Sequence, residues 1–424
     1  MVSMTGMRQT VAMKRIVIGL LAVVLSVCGC SSLPADRAAT SAQPALLLIS
    51  VDGLRPQDVT ADVMPHLSRL AAGGVRAEGM RPSYPTLTFP NHYTLVTGLR
   101  PDKHGIVHNS MRDPQLGEFR LSNREAVGDG RWWGGEPVWV GAEKAGLRTA
   151  TMFWPGSEAA IGGVRPHRWL RYDESVNAAE RVWIVAGWLS EPAARRPAFA
   201  TLYFDAVDHA AHRGGPDSED ARAALRETDE AIGQLIDALD ARQQLQRTNI
   251  VLVSDHGFAP SPGAQVIALE DMATVEEAAV HAAGQVVGFA PNPGFEAKVE
   301  GKLLGRHAHY QCWRKQELPA RWHYGSHPRV PPIVCQMDEG WDALPRAYIA
   351  KRDSAQMRGS HGYDNALPSM RAAFIAHGPA FKPGTRLPVF DNVDVYPLLM
   401  RLLGLPAPAN DGDAAVFTPA LTAP

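Results

Sequence analysis

Three short apolar runs, each followed by an acidic residue, constrain the fold of this chain more than any other feature. They are the segments 45–51, 198–204 and 249–254, which end at Asp52, Asp205 and Asp255. A short, nearly continuous apolar run is typical of a strand buried on both faces of a parallel sheet. In open α/β sheets, functional sites form where such strands end. The sequence therefore predicts an α/β fold with a central, mostly parallel sheet flanked by helices.

Acidic residues and histidines follow two of these runs as pairs. Asp208 and His212 are four residues apart, so they share one face of a helical turn, and Asp255 is followed directly by His256. Carboxylate and imidazole groups suit zinc. Taken singly, each motif is better explained as an ion pair on a solvated helix or as a turn. Together, at the ends of strands, they favour a metal site, with the loop residue His361 as a candidate for a remaining ligand.

A proline-bounded stretch, Pro85–Tyr93, carries the candidate nucleophile Thr88. Two prolines fix φ and remove backbone donors on either side of it, and an apolar run that predicts a helix follows. The N–H groups at the start of such a helix would face a bound anion. The alternative is that Thr86 or Thr88 only caps the helix. Asn109 is a candidate amide donor to a substrate oxygen, and its alternative is a surface turn.

The N-terminal residues 1–29 predict an export signal. A basic pair precedes the apolar run 16–27, and small residues follow it. The run is too short to predict a membrane span. Its end resembles the lipobox of bacterial lipoproteins, which would make Cys30 the lipidated first residue, followed by a linker, 30–43. The alternative is ordinary cleavage near Ala35 or Ala38. We expect an exported, periplasmic protein held at the membrane by a lipid.

Residues 44–424 are predicted to form a single catalytic domain with an irregular insertion at about 260–345. The insertion is rich in proline, glycine and histidine and contains Cys312 and Cys335. Two remaining cysteines in an exported chain most often pair. Their long spacing, without a Cys-x-x-Cys motif, favours a disulfide between them over zinc ligation.

The charge of the chain argues against a polynucleotide-binding groove. The formal net charge is -2, so no strong positive field is offered to nucleic acid. A small anionic substrate remains compatible, because a bound metal supplies local positive charge. Nothing in the sequence implies a protein partner.

Six motifs in the expected order resemble those of the nucleotide pyrophosphatase/phosphodiesterase family, bacterial type, within the alkaline phosphatase superfamily. They are Val51–Gly53, Thr88–Tyr93, His104–Ile106, Asp208–His212, Ser254–Gly257 and Gly359–Gly362. The resemblance runs from about residue 45 to residue 405 and implies an alkaline-phosphatase-like fold. One departure is Ala211, near which many members carry a glycine, and it leaves the Asp and His spacing intact.

This resemblance implies two zinc ions and a role for each matching residue. Asp208, His212 and His361 would hold one zinc, and Asp52, Asp255, His256 and the Thr88 hydroxyl would hold the other. Thr88 would attack phosphorus to give a phosphothreonine, while Asn109 and the Thr88 N–H bind the non-bridging oxygens. The implied activity is hydrolysis of nucleotide phosphodiester and pyrophosphate bonds to nucleoside 5′-monophosphates.

Three aromatic residues are candidates for a nucleobase slot. Phe89 would form one wall, and Tyr172 and Tyr203 are candidates for the other by their similarity to aromatic positions of bacterial members; a core strand residue is the alternative for Tyr203. Stacking tolerates every base, so we expect low base selectivity.

Alternative functions are a phosphodiesterase for glycerophosphodiesters or phospholipid head groups, a monoesterase, and a lipid-anchored zinc-binding protein with a decayed site. The metal motifs do not separate the first from a nucleotide enzyme. The sequence shows no extra positive group for the second charge of a monoester. The presence of every candidate ligand and of the nucleophile argues against decay.

Overall fold

A computed structural model describes residues 43–422 of the chain. The predicted export signal, Cys30 and nearly all of the predicted linker lie outside these residues. Within them, no helix combines the length and the apolar character that crossing a membrane requires.

The α-helices include one of 22 residues, α8, whose first turn is capped by the Ser218 hydroxyl accepting from the Ala221 N–H. In chain order they are α1 (Pro65–Ala72), α2 (Thr88–Thr97), α3 (Pro101–His104), α4 (Arg124–Gly128), α5 (Val138–Lys144), α6 (Ala178–Leu189), α7 (Ala206–Gly214), α8 (Glu219–Asp240), α9 (Leu269–Met272), α10 (Glu296–Leu303), α11 (Arg346–Ile349) and α12 (Val395–Leu402).

The strands form two main sheets and several two-stranded ribbons. In chain order they are β1 (Ala45–Val51), β2 (Val75–Ala77), β3 (Met80–Arg81), β4 (Ser110–Asp113), β5 (Gly117–Arg120), β6 (Thr149–Met152), β7 (Arg168–Leu170), β8 (Phe199–Phe204), β9 (Thr248–Val253), β10 (Ala259–Pro262), β11 (Val266–Ala268), β12 (Ala278–Ala282), β13 (Val286–Pro291), β14 (Gly305–Arg306), β15 (Tyr310–Arg314), β16 (Ile333–Met337), β17 (Asp342–Leu344), β18 (Met357–Ser360), β19 (Phe374–His377), β20 (Thr385–Leu387) and β21 (Phe390–Asp391).

The larger sheet has eight strands in the order β20-β2-β19-β9-β1-β8-β6-β7. Only β19 runs antiparallel to its neighbours in it, so the predicted mostly parallel α/β sheet is confirmed. Strand β1 lies between β8 and β9, with Val51 opposite Phe204 and Ser50 opposite Val253. The residues that follow these three strands therefore emerge at the same edge of the sheet.

Side chains of β1 alternate between two cores, one on each face of the sheet. Leu46 and Leu48 pack with residues of α2, α5 and α12. Leu47 and Ile49 pack with residues of α1, α6 and α8. Because every residue of β1 is buried, this strand provides a rigid base for the site at its end.

The segment 260–345 is not the irregular insertion that the sequence predicts. It contains a five-stranded antiparallel sheet in the order β12-β13-β16-β15-β14. Cys312 and Cys335 lie directly opposite each other on β15 and β16, and a disulfide joins them. The sequence does not predict these strands because they are short and because β13 and β15 both pair with the distant β16.

Candidate active site

The candidate site lies at the edge of the larger sheet where β1, β8 and β9 end. Asp52 follows β1, and Asp255 and His256 follow β9. Helix α7, which begins just after β8, carries Asp208 and His212, which are one turn apart. The remaining side chains come from the start of α2, which provides Thr88, and from the residue after β18, which is His361.

Asp208, His212 and His361 form one compact group. The Asp208 Oδ1 atom lies 3.4 Å from His212 Nε2 and 3.6 Å from His361 Nε2. The two Nε2 atoms lie 3.2 Å apart. Ligand atoms at 2.0–2.2 Å from a tetrahedral zinc ion are separated by about 3.3–3.6 Å. The three side chains are therefore spaced as ligands of one such ion would be.

The orientation of the histidines leaves their Nε2 atoms available. His212 Nδ1 donates to the Gly359 carbonyl at 3.0 Å, and His361 Nδ1 donates to the Thr86 carbonyl at 2.9 Å. With the proton on Nδ1, the Nε2 lone pair is free for a metal. Burial and the neighbouring His256 and His212 imidazoles lower the pKa of His361 well below its usual value, so its ring stays neutral.

Asp52, Asp255, His256 and Thr88 form a second group. His256 Nε2 lies 3.5 Å from Asp52 Oδ1, 3.0 Å from Asp255 Oδ2 and 3.4 Å from Thr88 Oγ1. The turn after Asp52 requires a glycine, because Gly53 has φ +72 and a Cβ there would lie 2.7 Å from the Phe258 ring. The Gly53 N–H donates to Asp255 at 3.2 Å, which ties two strand ends together.

The buried carboxylates of the site carry oxygen atoms that lack hydrogen-bond partners among the described residues. These atoms are Asp52 Oδ1, Asp208 Oδ1 and Asp255 Oδ2. Burial and repulsion from Asp255 and Asp208 raise the pKa of Asp52 well above its usual value. Such crowding of buried carboxylates is costly unless cations compensate it. The donor set, carboxylates with imidazoles, thus fits divalent metal ions, and zinc in particular.

His92 lies against this cluster, and it belongs to the motif Thr88–Tyr93, in which the sequence assigns it no role. Its Nδ1 donates to the Thr88 carbonyl at 2.9 Å, and its Nε2 accepts from the Ser50 hydroxyl at 2.8 Å. The Nδ1 atom also lies 3.4 Å from Asp255 Oδ2. Since both nitrogens are occupied, His92 is a support for Thr88 and Asp255 rather than a ligand.

Thr88 is the first residue of α2, and its side chain faces the second group. The first N–H groups of a helix have no intrahelical partner and favour a bound anion. The Phe89 N–H donates to Asn109 Oδ1 at 3.0 Å. This bond turns the amide so that its NH₂ group remains available as a donor. Asn109 is thus held next to the start of α2.

The three candidate aromatic residues occupy different environments. Phe89 is partly buried and packs at 6.0 Å, centroid to centroid, from both Phe119 and Trp133. Tyr203 is only 8% exposed, and its hydroxyl donates to Asp52 Oδ2 at 2.6 Å. Tyr172 is half-buried, and its ring lies 6.3 Å from that of Tyr203. Tyr203 therefore orients a candidate ligand, whereas Tyr172 has a more accessible ring.

Comparison with known proteins gives concordant results. The sequence profile described as type I phosphodiesterase / nucleotide pyrophosphatase matches residues 46–364. An uncharacterised pyrophosphatase/phosphodiesterase of Schizosaccharomyces pombe is 35% identical over 87% of this chain and 79% of its own length. The bis(5′-adenosyl)-triphosphatase of Xenopus laevis is 34% identical over 88% of this chain and 80% of its own length. A longer bovine relative, ectonucleotide pyrophosphatase/phosphodiesterase family member 3, is matched over only 43% of its length.

Solved structures show the same relationship. Murine ectonucleotide pyrophosphatase/phosphodiesterase 5 superimposes with a TM-score of 0.84 at 32% identity, covering 90% of this chain and 100% of the murine chain. An inactive threonine-to-alanine variant of that murine protein has been solved in complex with AMP and superimposes equally well.

Proposed function

Because this chain belongs to the type I phosphodiesterase / nucleotide pyrophosphatase family of hydrolases, within the alkaline phosphatase superfamily, we propose that it cleaves nucleotide phosphodiester and pyrophosphate bonds to nucleoside 5′-monophosphates. The observation that carries this proposal is the position of the Thr88 hydroxyl, at the start of α2 and 3.4 Å from His256 Nε2. It lies beside the two groups of candidate metal ligands described above. We assign the activity to residues 44–424 as one catalytic domain.

We propose two zinc ions as cofactors. Asp208, His212 and His361 would hold one, and Asp52, Asp255, His256 and the Thr88 hydroxyl would hold the other. Bound there, zinc ions would lower the pKa of a coordinated hydroxyl and neutralise negative charge on the phosphoryl group. The buried carboxylate oxygens without hydrogen-bond partners support this assignment.

The chain's own residues account for the remaining chemistry. The Thr88 hydroxyl gives its proton to water, and its oxygen attacks phosphorus in line. The leaving-group oxygen departs with the bonding electron pair and takes up a proton from water. The resulting phosphothreonine is attacked by water, which releases the nucleoside monophosphate and restores the hydroxyl. The Asn109 NH₂ group and the Thr88 N–H donate to the non-bridging oxygens, where negative charge is concentrated. His92 holds the Thr88 carbonyl and so fixes the start of α2.

For the nucleobase we propose a slot between Phe89 and a tyrosine wall. Of the two candidate tyrosines, Tyr172 is favoured by its exposure, whereas Tyr203 is buried against Asp52. A slot that recognises bases by stacking would accept purines and pyrimidines alike. Similar turnover of the two kinds of diester would support this proposal, and a large preference would refute it.

We also propose that the protein is exported to the periplasm and anchored by a lipid on Cys30. The basic pair, the short apolar run and the small residues before Cys30 support this proposal. Mass spectrometry of the mature N-terminus tests it. A diacylated Cys30 is expected, and an unmodified N-terminus near Ala35 would contradict lipidation while leaving export intact.

The activity is tested by comparing the wild type with Thr88→Ala on p-nitrophenyl thymidine 5′-monophosphate, p-nitrophenyl phosphate and p-nitrophenyl phosphorylcholine. We expect strong preference for the nucleotide diester and a loss of at least roughly 10³-fold in Thr88→Ala. Undiminished activity in the variant would refute the nucleophile. A preference for the choline diester would point to lipid head groups, and a preference for the monoester would point to a phosphatase.

A further inference from the structure

Tyr172, a half-buried loop residue, is held through both its backbone and its hydroxyl. Its N–H donates to Glu158 Oε1 at 2.9 Å, and its hydroxyl donates to Asp205 Oδ2. Both acceptors are buried, Glu158 at 7% exposure and Asp205 at 8%. A hydrogen bond to an ionised acceptor is roughly twice as strong as a neutral one. The bond from the N–H therefore holds the backbone of Tyr172, and the bond from the hydroxyl holds its ring.

Each of the two carboxyl groups pairs with an arginine. Arg124 pairs with Glu158. Arg181, on α6, pairs with Asp205 at 3.0 Å and also donates to the carbonyls of Tyr203 and Val176. Because arginine does not lose its proton in proteins, a permanent positive charge lies beside the Asp205 carboxyl group. The hydroxyl of Tyr172 is thereby linked through Asp205 to helix α6.

A third support comes from Phe153, which adopts φ +64 just after β6. A positive φ is strained for a bulky residue, and such strain persists only when the surroundings enforce it. The Phe153 ring packs edge-on against the Tyr172 ring at 5.4 Å, and the Arg181 guanidinium lies 5.1 Å from its centroid. The strained backbone thus places the Phe153 ring in contact with both Tyr172 and Arg181.

We propose that Asp205, Glu158, Arg181 and Phe153 are positioning residues that hold the Tyr172 ring as a preformed wall of the nucleobase slot. This inference rests on the proposed nucleotide activity and on Tyr172 as the wall. It adds an explanation for low base selectivity to the proposed nucleotide activity. The hydroxyl of Tyr172 is committed to Asp205, so the wall offers a base only its ring and discriminates poorly between bases.

The wall is also connected to the catalytic centre. Asp205 immediately precedes α7, the helix that carries Asp208 and His212, and its carbonyl accepts from the His209 N–H at 3.1 Å. Asp205 therefore links the Tyr172 ring, which is expected to contact the base, to α7, which is expected to bind a metal ion. This places the base wall and the phosphate-binding end of the slot on one rigid unit.

The test compares Tyr172→Phe, which removes only the hydroxyl, with Tyr172→Ala, which removes the wall. Tyr348→Phe on α11, which is 69% exposed, is the matched control. For each protein the ratio of kcat/KM for p-nitrophenyl thymidine 5′-monophosphate to that for methyl p-nitrophenyl phosphate, which lacks a base, is measured. Calorimetric Kd values for AMP and for inorganic phosphate give the same comparison without turnover.

We expect Tyr172→Phe to lower the ratio roughly three- to tenfold, the effect of one lost hydrogen bond. Tyr172→Ala should lower it by roughly tenfold or more, the effect of lost stacking, and Tyr348→Phe should match the wild type. In Asp205→Asn the amide oxygen still accepts the hydroxyl but no longer pairs with Arg181, so an intermediate ratio is expected.

The possible failures are distinguishable. If Tyr172→Ala lowers the ratio and Tyr172→Phe does not, the positioning role is refuted while the slot stands. If neither variant changes the ratio, Tyr172 is not a wall and the inference falls with it. If the wild type shows no preference for the base-bearing diester, the nucleotide activity itself is refuted.

Discussion

The Nε2 atoms of His212 and His361 face each other at 3.2 Å, and each ring donates its Nδ1 proton to a backbone carbonyl. Two nitrogen lone pairs at this distance repel each other unless a cation lies between them. The third member of the group, Asp208 Oδ1, has no hydrogen-bond partner among the described residues. The arrangement is explained most simply as a site in which all three atoms bind one metal ion.

We therefore expect His361→Gln to lose one metal ion. Replacing an outer-shell residue typically lowers metal affinity 10- to 100-fold, so replacing a direct ligand should lower it by more than roughly 100-fold. Metal content by inductively coupled plasma mass spectrometry after dialysis provides the measurement, with diester turnover beside it. His209→Gln is the control, because His209 is exposed on the same helix. Equal metal content in both variants would contradict the assignment.

Tyr203→Phe should weaken metal binding without weakening base binding. The hydroxyl of Tyr203 donates to Asp52 Oδ2 at 2.6 Å and so orients the carboxylate whose other oxygen faces the metal site. Removing it should lower metal affinity roughly 10- to 100-fold, seen as inactivation at a lower chelator concentration. Tyr310→Phe is a suitable control, because that ring is half-buried and stacks on His307.

The opposite result for Tyr203→Phe would also be informative. If KM for the nucleotide diester rises while metal affinity is unchanged, Tyr203 contacts the substrate. That result would favour the hypothesis from the sequence that Tyr203 is a wall of the nucleobase slot. The two roles are thus separated by one conservative substitution.

Asn109→Asp should lower kcat for the nucleotide diester by roughly 10²- to 10³-fold, the effect of losing one preorganised donor to a developing anion. The variant keeps the oxygen that accepts from Phe89 N–H but replaces the NH₂ donor with a negatively charged oxygen. The measurement is steady-state kinetics with metal content determined in parallel. Loss of activity that merely follows loss of metal would contradict a role for Asn109 at the substrate.

The central sheet was predictable because each of its core strands is a continuous apolar run, as in β1 and β9. Asp52, Asp255 and His256 were predictable as candidates for the same reason, since they come directly after those runs. Asp205 also follows such a run, at the end of β8, and the same rule would have selected it. Spacing alone does not separate it from Asp208, because His209 follows Asp205 at the same four-residue distance as His212 follows Asp208. The two differ in their contacts, since Asp205 pairs with Arg181 whereas Asp208 lies beside His212 and His361.

The supports of the site were not predictable, because they depend on distant pairs. His92 contacts Ser50 across 42 positions, and Tyr203 contacts Asp52 across 151. The strands of the second sheet present the same difficulty, since a five-residue strand such as β15 is stabilised by its pairing with β16 rather than by its own sequence. Local patterns reveal strands that are buried on both faces and miss those defined by their partners.

The stability of the protein should decline in mild acid because of His104. This residue is fully buried; its Nδ1 accepts from the Ile106 N–H at 3.1 Å and its Nε2 contacts the Thr94 hydroxyl at 3.0 Å. Its pKa is lowered to about 3, chiefly by burial and also by the nearby His327 and Arg329, which disfavour the cationic ring. Protonation would also break the bond from Ile106, because that nitrogen would no longer accept.

The sign of the effect follows from proton binding. Between the usual histidine pKa of about 6.5 and the lowered value, the unfolded chain binds a proton that the folded chain does not, so the free energy of unfolding falls as the pH falls. At pH 5 the loss from this one residue is about 2 kcal/mol. It should appear as a lower Tm at pH 5 than at pH 7.5, measured in the same buffer strength.

The variant His104→Gln tests this assignment, because it removes the titration while retaining a polar side chain. It should be less stable than the wild type at pH 7.5, since the hydrogen bonds of the ring are lost, but its Tm should fall less between pH 7.5 and pH 5. His167→Gln, at an exposed position, should keep the pH dependence of the wild type. If His104→Gln loses as much stability in acid as the wild type does, the acid sensitivity arises from other groups.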